Sequence, residues 1–489
     1  MIQTEPGLLL AGTPGSARAP IAKLETPSSW IWVPYVWLFF GSTRTLSTWL
    51  NPGHPDSSSG SLADELIMPL LIVLGLYLLN SRAERTKDIL THNKWVLVLF
   101  TFMALSIIWS VFPGISLRRC IRSMGTLVMV VVVLTEHSPL GAIRVLLRRT
   151  YLLVIPLSII AIKYFRNIGV AYNWSGLEED WVGLATDKNS LGQVLMCSGL
   201  FFTWQVIQNW PKKKLTLDAL LLVLTLWLLS GSKNTHSSTA IIAFSVCAAI
   251  LLALQFIRKR ADRAKRIIVK TTIVSALFVP FVYLVFAVLD TTPATMILTA
   301  TGRDMTFTDR TLIWADLLHI SEKRPIAGVG IGALWVGPIG YATYPLDNWS
   351  RKTPGWRPEQ GHNGYIDVYV ELGVIGVVLL LIVIAVGFSG ALDDLQSDFA
   401  FGSLRLVILL SIVMNNITET SFLKGTHDLW FLCLLLAINV PRPRWRGRLT
   451  RTGESSGCLS NRSERPHSPY FVIPSVLVRH ERWSVRPLL

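Results

Sequence analysis

The chain is short of the features that mark a soluble domain. Only 16% of its 489 residues are charged, 51% are hydrophobic, and mean hydropathy is +0.46. The amphipathic periods of a soluble protein of this length are missing. Apolar residues come instead in runs of about 20, the length a helix needs to cross the hydrocarbon core of a bilayer. Strict alternation is missing too, which excludes a membrane β-barrel, and in lipid that leaves helices. Cysteines are few. Cys120, Cys197, Cys247, Cys433 and Cys458 are scattered, so neither a metal site nor a disulfide framework is implied. Acidic residues are outnumbered, 31 against 46 Lys and Arg, for a net charge of +15. The excess would suit a nucleic-acid binder, but it falls in short loops between apolar runs, where it sets topology. Nucleic acid is therefore excluded as a partner. There is no internal repeat and no cleavable signal, and the first span is expected to act as the insertion signal.

What is present is a series of spans, at roughly 30–48, 63–80, 94–112, 119–135, 149–165, 190–208, 215–230, 238–257, 267–289, 366–388, 403–417 and 427–440. The expected fold class is an all-α integral membrane protein with about 12 transmembrane helices and a large, partly helical outer loop between spans 9 and 10. Arg82, Arg85, Lys87 and Lys94 share one loop, Arg144, Arg148 and Arg149 the next on that side, then Lys212 to Lys214. The run from Arg258 to Lys270 holds seven Lys and Arg, whereas 49–62 has none and 231–237 only Lys233. The basic side is read as cytoplasm, with both termini inside. Residues 1–28 are then a polar cytoplasmic leader, 29–289 carry spans 1–9, 290–365 lie outside, and 366–440 carry spans 10–12. The tail at 441–489 is Arg-rich, expected to be cytoplasmic and disordered, and could touch anionic lipid.

Residues 290–365 hold seven Lys and Arg against seven Asp and Glu, so they carry no topological bias, and their length predicts a folded unit. Thr301-Gly302-Arg303-Asp304 leads to Thr308-Asp309-Arg310-Thr311, where Thr308 or Asp309 can cap a helix running to about Ser321 and stopped by Pro325. Arg310, Trp314 and Leu317 share its face. Arg310 is either an ordinary surface arginine or a guanidinium facing an anion, whose planar fork suits phosphate. Gly328-Val329-Gly330-Ile331-Gly332 follows a helix and a proline, so it fails as a nucleotide loop and predicts a tight turn with close backbone approach.

Asn363, Asp367 and Glu371 then fall at i, i+4 and i+8 on one helical face. An ionised carboxylate facing lipid costs on the order of 2.5–3.5 kcal/mol, so this face should look at protein or a wet cavity. Tyr365 and Tyr369 fit an interfacial aromatic belt. His362 is either a solvated loop histidine or a general base beside the cavity. Arg118, Arg119, Arg122, Lys188, Asn189, Lys233, Glu419, Lys424 and His427 lie near the same side. Each alone reads as an interfacial anchor. Together they supply the cations that a lipid diphosphate would need.

These residues resemble a known family. Gly-Arg-Asp and Asp-Arg-Thr-x-x-Trp at 302–314, Arg-Pro and Gly-x-Gly-x-Gly at 324–332, and His-Asn-Gly-Tyr with Glu-Leu-Gly-x-x-Gly at 362–376 are similar to the O-antigen ligase and polysaccharide polymerase (Wzy-like) superfamily. Trp-Ser-Val-x-Pro-Gly with Arg-Arg at 109–119, Asp-Lys-Asn at 187–189 and Ser-x-Ser-Lys at 230–233 resemble exopolysaccharide production proteins of the ExoQ type. The similarity covers roughly 60–440. Asp309 stands where the family often has Gly and could pair with Arg310.

The resemblance implies a GT-C-like multi-pass protein of the cell inner membrane, with 290–365 as its periplasmic catalytic loop. It implies an inverting, metal-independent glycosyltransferase without cofactors. The donor would be an undecaprenyl-diphosphate-linked oligosaccharide and the acceptor a glycan hydroxyl. Polymerisation of repeat units into exopolysaccharide is the first reading, and ligation to lipid A core is the alternative. Membrane lipids, a flippase and a chain-length co-polymerase are the implied partners. His362, Arg310 and Arg303 would be catalytic. Arg118, Arg119, Lys188, Asn189, Lys233, Asn363, Trp314, Asp367 and Glu371 would bind substrate. A polytopic transporter is the rival from another class, opposed by the missing repeat and by polar residues gathered at one face instead of the midplane. A non-catalytic membrane scaffold is the third reading.

Overall fold

The computed structural model describes residues 27–50, 62–172, 178–209, 216–232, 236–258, 267, 270, 310–352 and 358–441. Arg303 and Lys233 fall outside the described residues, as do most of the run at 267–289 and the tail from 442.

The chain is mostly helical. In order come α1 (Trp32–Ser42), α2 (Leu46–Leu50), α3 (Leu62–Ser81), α4 (Ala83–His92), α5 (Lys94–Leu105), α6 (Pro113–Leu134), α7 (Pro139–Tyr164) and α8 (Arg166–Gly169). A short antiparallel hairpin, β1 (Val170–Tyr172) and β2 (Glu179–Trp181), precedes α9 (Lys188–Asn209), α10 (Thr216–Leu229) and α11 (Ser238–Ile257). After the undescribed stretch come α12 (Arg310–Glu322), α13 (Gly337–Thr343), α14 (Asp347–Lys352), α15 (Gly364–Ser397), α16 (Phe399–Asn415) and α17 (Asp428–Ala437). Among the described residues, helices lie over the apolar runs read from the sequence.

Among the described residues, four helices are long and apolar enough to cross a membrane: α7, α9, α11 and α15. Leu66–Ser81 with Ala83–His92 makes a fifth only as a pair bent by 98°. Lys94–Trp109, Leu217–Leu229, α16 and α17 are apolar but shorter. The protein is an integral membrane helix bundle. Its centre is α9, α16 and α17, whose side chains are buried against other helices instead of facing lipid. Every residue of α16 from Gly402 to Asn415 is buried, and so is every residue of α17. The helices α3 and α10 instead turn Leu70, Val73, Tyr77, Leu220 and Val223 outward, as lipid-facing helices do.

A buried arginine pins the centre at one end. Arg405, in α16, donates from Nε to Leu436 O (2.5 Å), from Nη1 to Asp394 Oδ2 (2.6 Å) and from Nη2 to Asn439 Oδ1 (2.6 Å). It thereby satisfies a carbonyl at the end of α17 that helix geometry leaves open.

At the opposite end, residues 310–349 fold around a small core made of Ile313, Leu317 and Ile320 from α12 with Leu334, Leu346 and Trp349, closed by Val370 of α15. Asp316 ties this unit together. Its carboxylate accepts from Asn348 N (3.1 Å), Asn348 Nδ2 (2.8 Å) and Trp349 N (3.0 Å), capping the first turn of α14.

The unit is joined to the bundle through a break in α15. Gly373 has φ +65° and ψ −168°, which interrupts the helix. In a continuous helix the Val374 and Ile375 amides would donate to the carbonyls of residues 370 and 371. Here they donate to Pro325 O (2.9 Å) and Ile326 O (3.2 Å). The freed carbonyls of Val370 and Glu371 accept from Val329 N and Gly330 N, both at 2.9 Å. Two helical bonds are thus exchanged for four bonds to the 325–330 segment, so these four backbone groups keep partners across the break. The glycine run has its reason in this contact. A Cβ on Gly328 would strike the Glu371 backbone, one on Gly330 would strike Ser110, and one on Gly332 would strike Arg119.

Candidate functional site

The residues from Gln360 to Gly364 form a turn that enters α15. Asn363 caps that helix, its Oδ1 accepting from Tyr365 N (3.0 Å) and Ile366 N (3.1 Å). His362 sits just before the cap with φ +49°, a left-handed conformation uncommon for a side-chain-bearing residue. Two neighbours hold it there. Trp314, buried in α12, donates from Nε1 to Gly361 O at 2.8 Å, and Asp367 Oδ2 accepts from Gly361 N at 3.2 Å. The other Asp367 oxygen, Oδ1, is buried without a hydrogen-bond partner.

Facing this turn is the segment between α16 and α17. Asn416, fully buried, uses its whole amide to shape it. Oδ1 accepts from Ser421 N (2.9 Å) and Phe422 N (3.2 Å), while Nδ2 donates to Ile412 O and Ser421 Oγ, both at 2.8 Å. The two segments are then clasped by backbone. Gly364 N donates to both Asn416 O and Glu419 O at 2.9 Å, and Asn363 N donates to Thr420 Oγ1 at 3.1 Å.

That clasp presents the carboxylate of Glu419, 2% exposed, to two of the side chains singled out from the sequence. Arg310 Nη2 donates to Glu419 Oε1 at 2.8 Å, and Arg310 Nη1 donates to Thr418 O. His362 Nδ1 lies 3.1 Å from Glu419 Oε2. Arg310 and His362, 52 positions apart in sequence, therefore meet on the two oxygens of one buried acid. Both side chains keep a share of solvent contact, 15% for Arg310 and 22% for His362.

A second charged cluster lies beside the first. Lys424 donates from Nζ to Gln360 Oε1 at 2.6 Å. Burial pushes its ammonium below the ordinary lysine value, while the charges of Asp367, Glu371, Glu419 and Asp187 act in the opposite sense. Arg119, on α6, donates to Gly332 O (2.7 Å) and Trp335 O (2.5 Å), and Glu371 is close enough to act on it electrostatically. Arg118, one residue earlier, is exposed, with a long Nε contact to Gly114 O of 3.5 Å. Lys188 pairs with Asp180 of the hairpin at 3.2 Å. Asn189 contributes its backbone amide, which with that of Ser190 caps α9 on Asp187 Oδ1 at 2.8 and 3.0 Å. The hydroxyls of Thr239 at the start of α11 and Thr418 touch at 2.7 Å, so this end of the bundle is continuous with the Arg310 site.

The structure thus gathers Arg310, His362, Trp314, Asn363 and Asp367 around one turn. Arg119 and Glu371 form the adjoining group, and Lys188 and Asn189 stand at the hairpin. Glu419 was visible in the sequence as one polar residue among several near the eleventh span. Nothing in its spacing marks it as the common partner of Arg310 and His362. The polar run Asn415-Asn416-x-Thr418-Glu419-Thr420 between two apolar helices is the signal that could have found it.

Comparison with known proteins falls on the same ground as the motifs. A family model described as O-antigen ligase matches residues 219–381, which include Arg310, Trp314, His362, Asp367 and Glu371. The chain is 26% identical to the exopolysaccharide production protein ExoQ of Rhizobium meliloti (strain 1021) over 373 residues, covering 73% of this chain and 79% of that one.

Proposed function

We propose that the protein polymerises oligosaccharide repeat units, carried on undecaprenyl diphosphate, into exopolysaccharide at the periplasmic face of the cell inner membrane. The observation that carries this reading is the meeting of Arg310 and His362 on Glu419, at the end of a membrane helix bundle. In this reading a cation suited to phosphate and a base suited to a hydroxyl share one carboxylate. The similarity to an exopolysaccharide production protein favours polymerisation over other glycan transfers.

In this reading the acceptor hydroxyl gives its proton to His362 as its oxygen attacks the anomeric carbon of the donor. The bond from that carbon to the diphosphate oxygen breaks, and undecaprenyl diphosphate leaves with the bonding electrons. Arg310 carries the growing negative charge, with Arg303 and either Arg118 or Arg119 assisting. A single displacement inverts the anomeric centre. The leaving group is already a good one, so alignment and charge neutralisation are the main demands on the protein.

His362→Ala should abolish high-molecular-weight polysaccharide while membrane-inserted protein stays at normal abundance. Full-length polymer from that variant would refute the role of His362. The family match favours a second reading, ligation of a finished glycan to lipid A core. A deletion strain separates the two. Loss of polymer with normal lipopolysaccharide supports the polymerase, and lipid A core lacking glycan, with polymer retained on its carrier, supports the ligase.

A further inference from the structure

We propose that Glu419 is the positioning residue of the site, fixing the tautomer of His362 and the aim of Arg310 with a single carboxylate. The proposal rests on the reading of His362 as the base.

Every polar group of Glu419 is committed. Its amide donates to Asn415 O and its carbonyl accepts from Gly364 N, both at 2.9 Å, so the backbone is locked to the turn that carries His362. Its carboxylate oxygens take Arg310 on one side and His362 Nδ1 on the other. An ionised carboxylate only accepts, so the imidazole donates from Nδ1. The lone pair of the neutral ring is then confined to Nε2, the nitrogen turned away from Glu419, and that is the atom that takes the acceptor proton. When the proton arrives, the imidazolium faces a carboxylate already in place, with no reorganisation. The left-handed backbone at His362 belongs to the same arrangement, since the turn is held by Trp314, Asp367 and Thr420 from three directions.

Glutamine at 419 would keep the shape and break the logic. It offers one acceptor and one donating NH₂ where two donors arrive, so it serves Arg310 or His362 but not both. With its oxygen toward Arg310, its NH₂ points at Nδ1 and draws the proton to Nε2, which removes the base. It also relieves Arg310 of a carboxylate that competes with diphosphate. Turnover should therefore fall with no loss of carrier binding, which loss of structure would not produce.

The test uses full-length protein in detergent. The donor is undecaprenyl-diphosphate oligosaccharide extracted from the deletion strain, and bare undecaprenyl diphosphate is the competitor. Glu419→Gln should lower kcat on the order of 10²- to 10⁴-fold. Inhibition by the bare carrier should be unchanged or tighter. Glu419→Asp, which keeps two accepting oxygens, should recover part of the rate. The proposal is overturned if Glu419→Gln turns over at the wild-type rate. It is also overturned if kcat, carrier affinity and melting temperature fall together to the same degree in both variants. If Glu419→Gln does not fold, Glu419→Asp decides alone: kcat lowered with carrier inhibition retained supports the role, and equal loss of both ends it. His362→Ala is run alongside. Wild-type turnover from it sinks the reading of the base itself, whereas an inactive His362→Ala beside a fully active Glu419→Gln sinks only the role of Glu419.

Discussion

Gly373→Ala tests the joint on which the site depends. At φ +65° and ψ −168° residue 373 occupies a region that is nearly glycine-only, and forcing a side chain there costs about 1–3 kcal/mol. A Cβ would also meet the Ile326 carbonyl closer than real contacts allow, and that atom is backbone, which cannot swing aside. Relief means withdrawing the 325–330 segment and losing the bonds from Val374 N to Pro325 O and Ile375 N to Ile326 O. At about 0.5–1.5 kcal/mol for each, the combined effect is roughly 2–6 kcal/mol. Because Gly332 and Trp335 hold Arg119 through their carbonyls, the damage should reach the charged cluster. Thermal unfolding in detergent measures the first effect, and trypsin cleavage after exposed Lys323 measures release of the segment. Gly114→Ala is the control, since a Cβ there meets nothing within 4 Å. If Gly373→Ala melts and resists trypsin like the control, the account of the broken helix is wrong.

Three further outcomes follow from single contacts. Trp314→Phe keeps the ring but leaves Gly361 O without its donor, which should cost about 1–3 kcal/mol in melting experiments and lower kcat with little change in KM, as His362 loses its anchor. Unchanged kcat would count against that anchoring. Arg405→Ala removes the bonds to Asp394, Leu436 O and Asn439 at the end of α17 and should cost about 3–5 kcal/mol, with turnover of the surviving folded fraction unaltered. Burial lowers the Lys424 pKa in the folded state, so between that lowered value and the model-peptide value of 10.5 the unfolded chain binds a proton that the folded chain does not. The contribution of Lys424 to stability therefore rises with pH through this window. The melting curve of the wild type should gain on that of Lys424→Met as the pH is raised, and parallel curves would contradict the burial effect.

The sequence made some of this legible and hid the rest for physical reasons. Runs of apolar residues sufficed to place the helices, because a span must be apolar wherever it meets lipid. They gave no measure of length once charge or a break intervened, as with Arg118, Arg119 and Arg122 in α6 or the bend between α3 and α4. The helix read from Thr308 or Asp309 to about Ser321 is α12, from Arg310 to Glu322. The close backbone approach read from Gly328 to Gly332 is present, but its partner is the helix interior at Val370 to Ile375. That partner was not legible, since a backbone bond made 40 or more positions away leaves no trace in local pattern beyond Gly373 itself. Asn363 was read as part of a polar face. It is the cap of α15, a role its residue type and place before an apolar run could have suggested.

Sequence also counts charges without pairing them, and pairing changes the argument about the site. An excess of cations near one membrane face suggested an open, positive pocket. Four of them are instead matched: Arg310 with Glu419, Lys188 with Asp180, Arg119 beside Glu371, and Lys424 amid Asp367, Glu371 and Glu419. Burying such groups unpaired would cost several kcal/mol each, so the fold could not hold them ready as bare charges. If the proposed reading holds, a diphosphate arriving here must exchange with a carboxylate already in place. It can do so at Arg310 because it offers more charge and two oxygens to the planar fork. On that reading the exchange would leave the full charge of Glu419 to His362 at the moment a base is needed. Donor binding and orientation of the base would then be two consequences of one displacement, coupled by the buried acid between them.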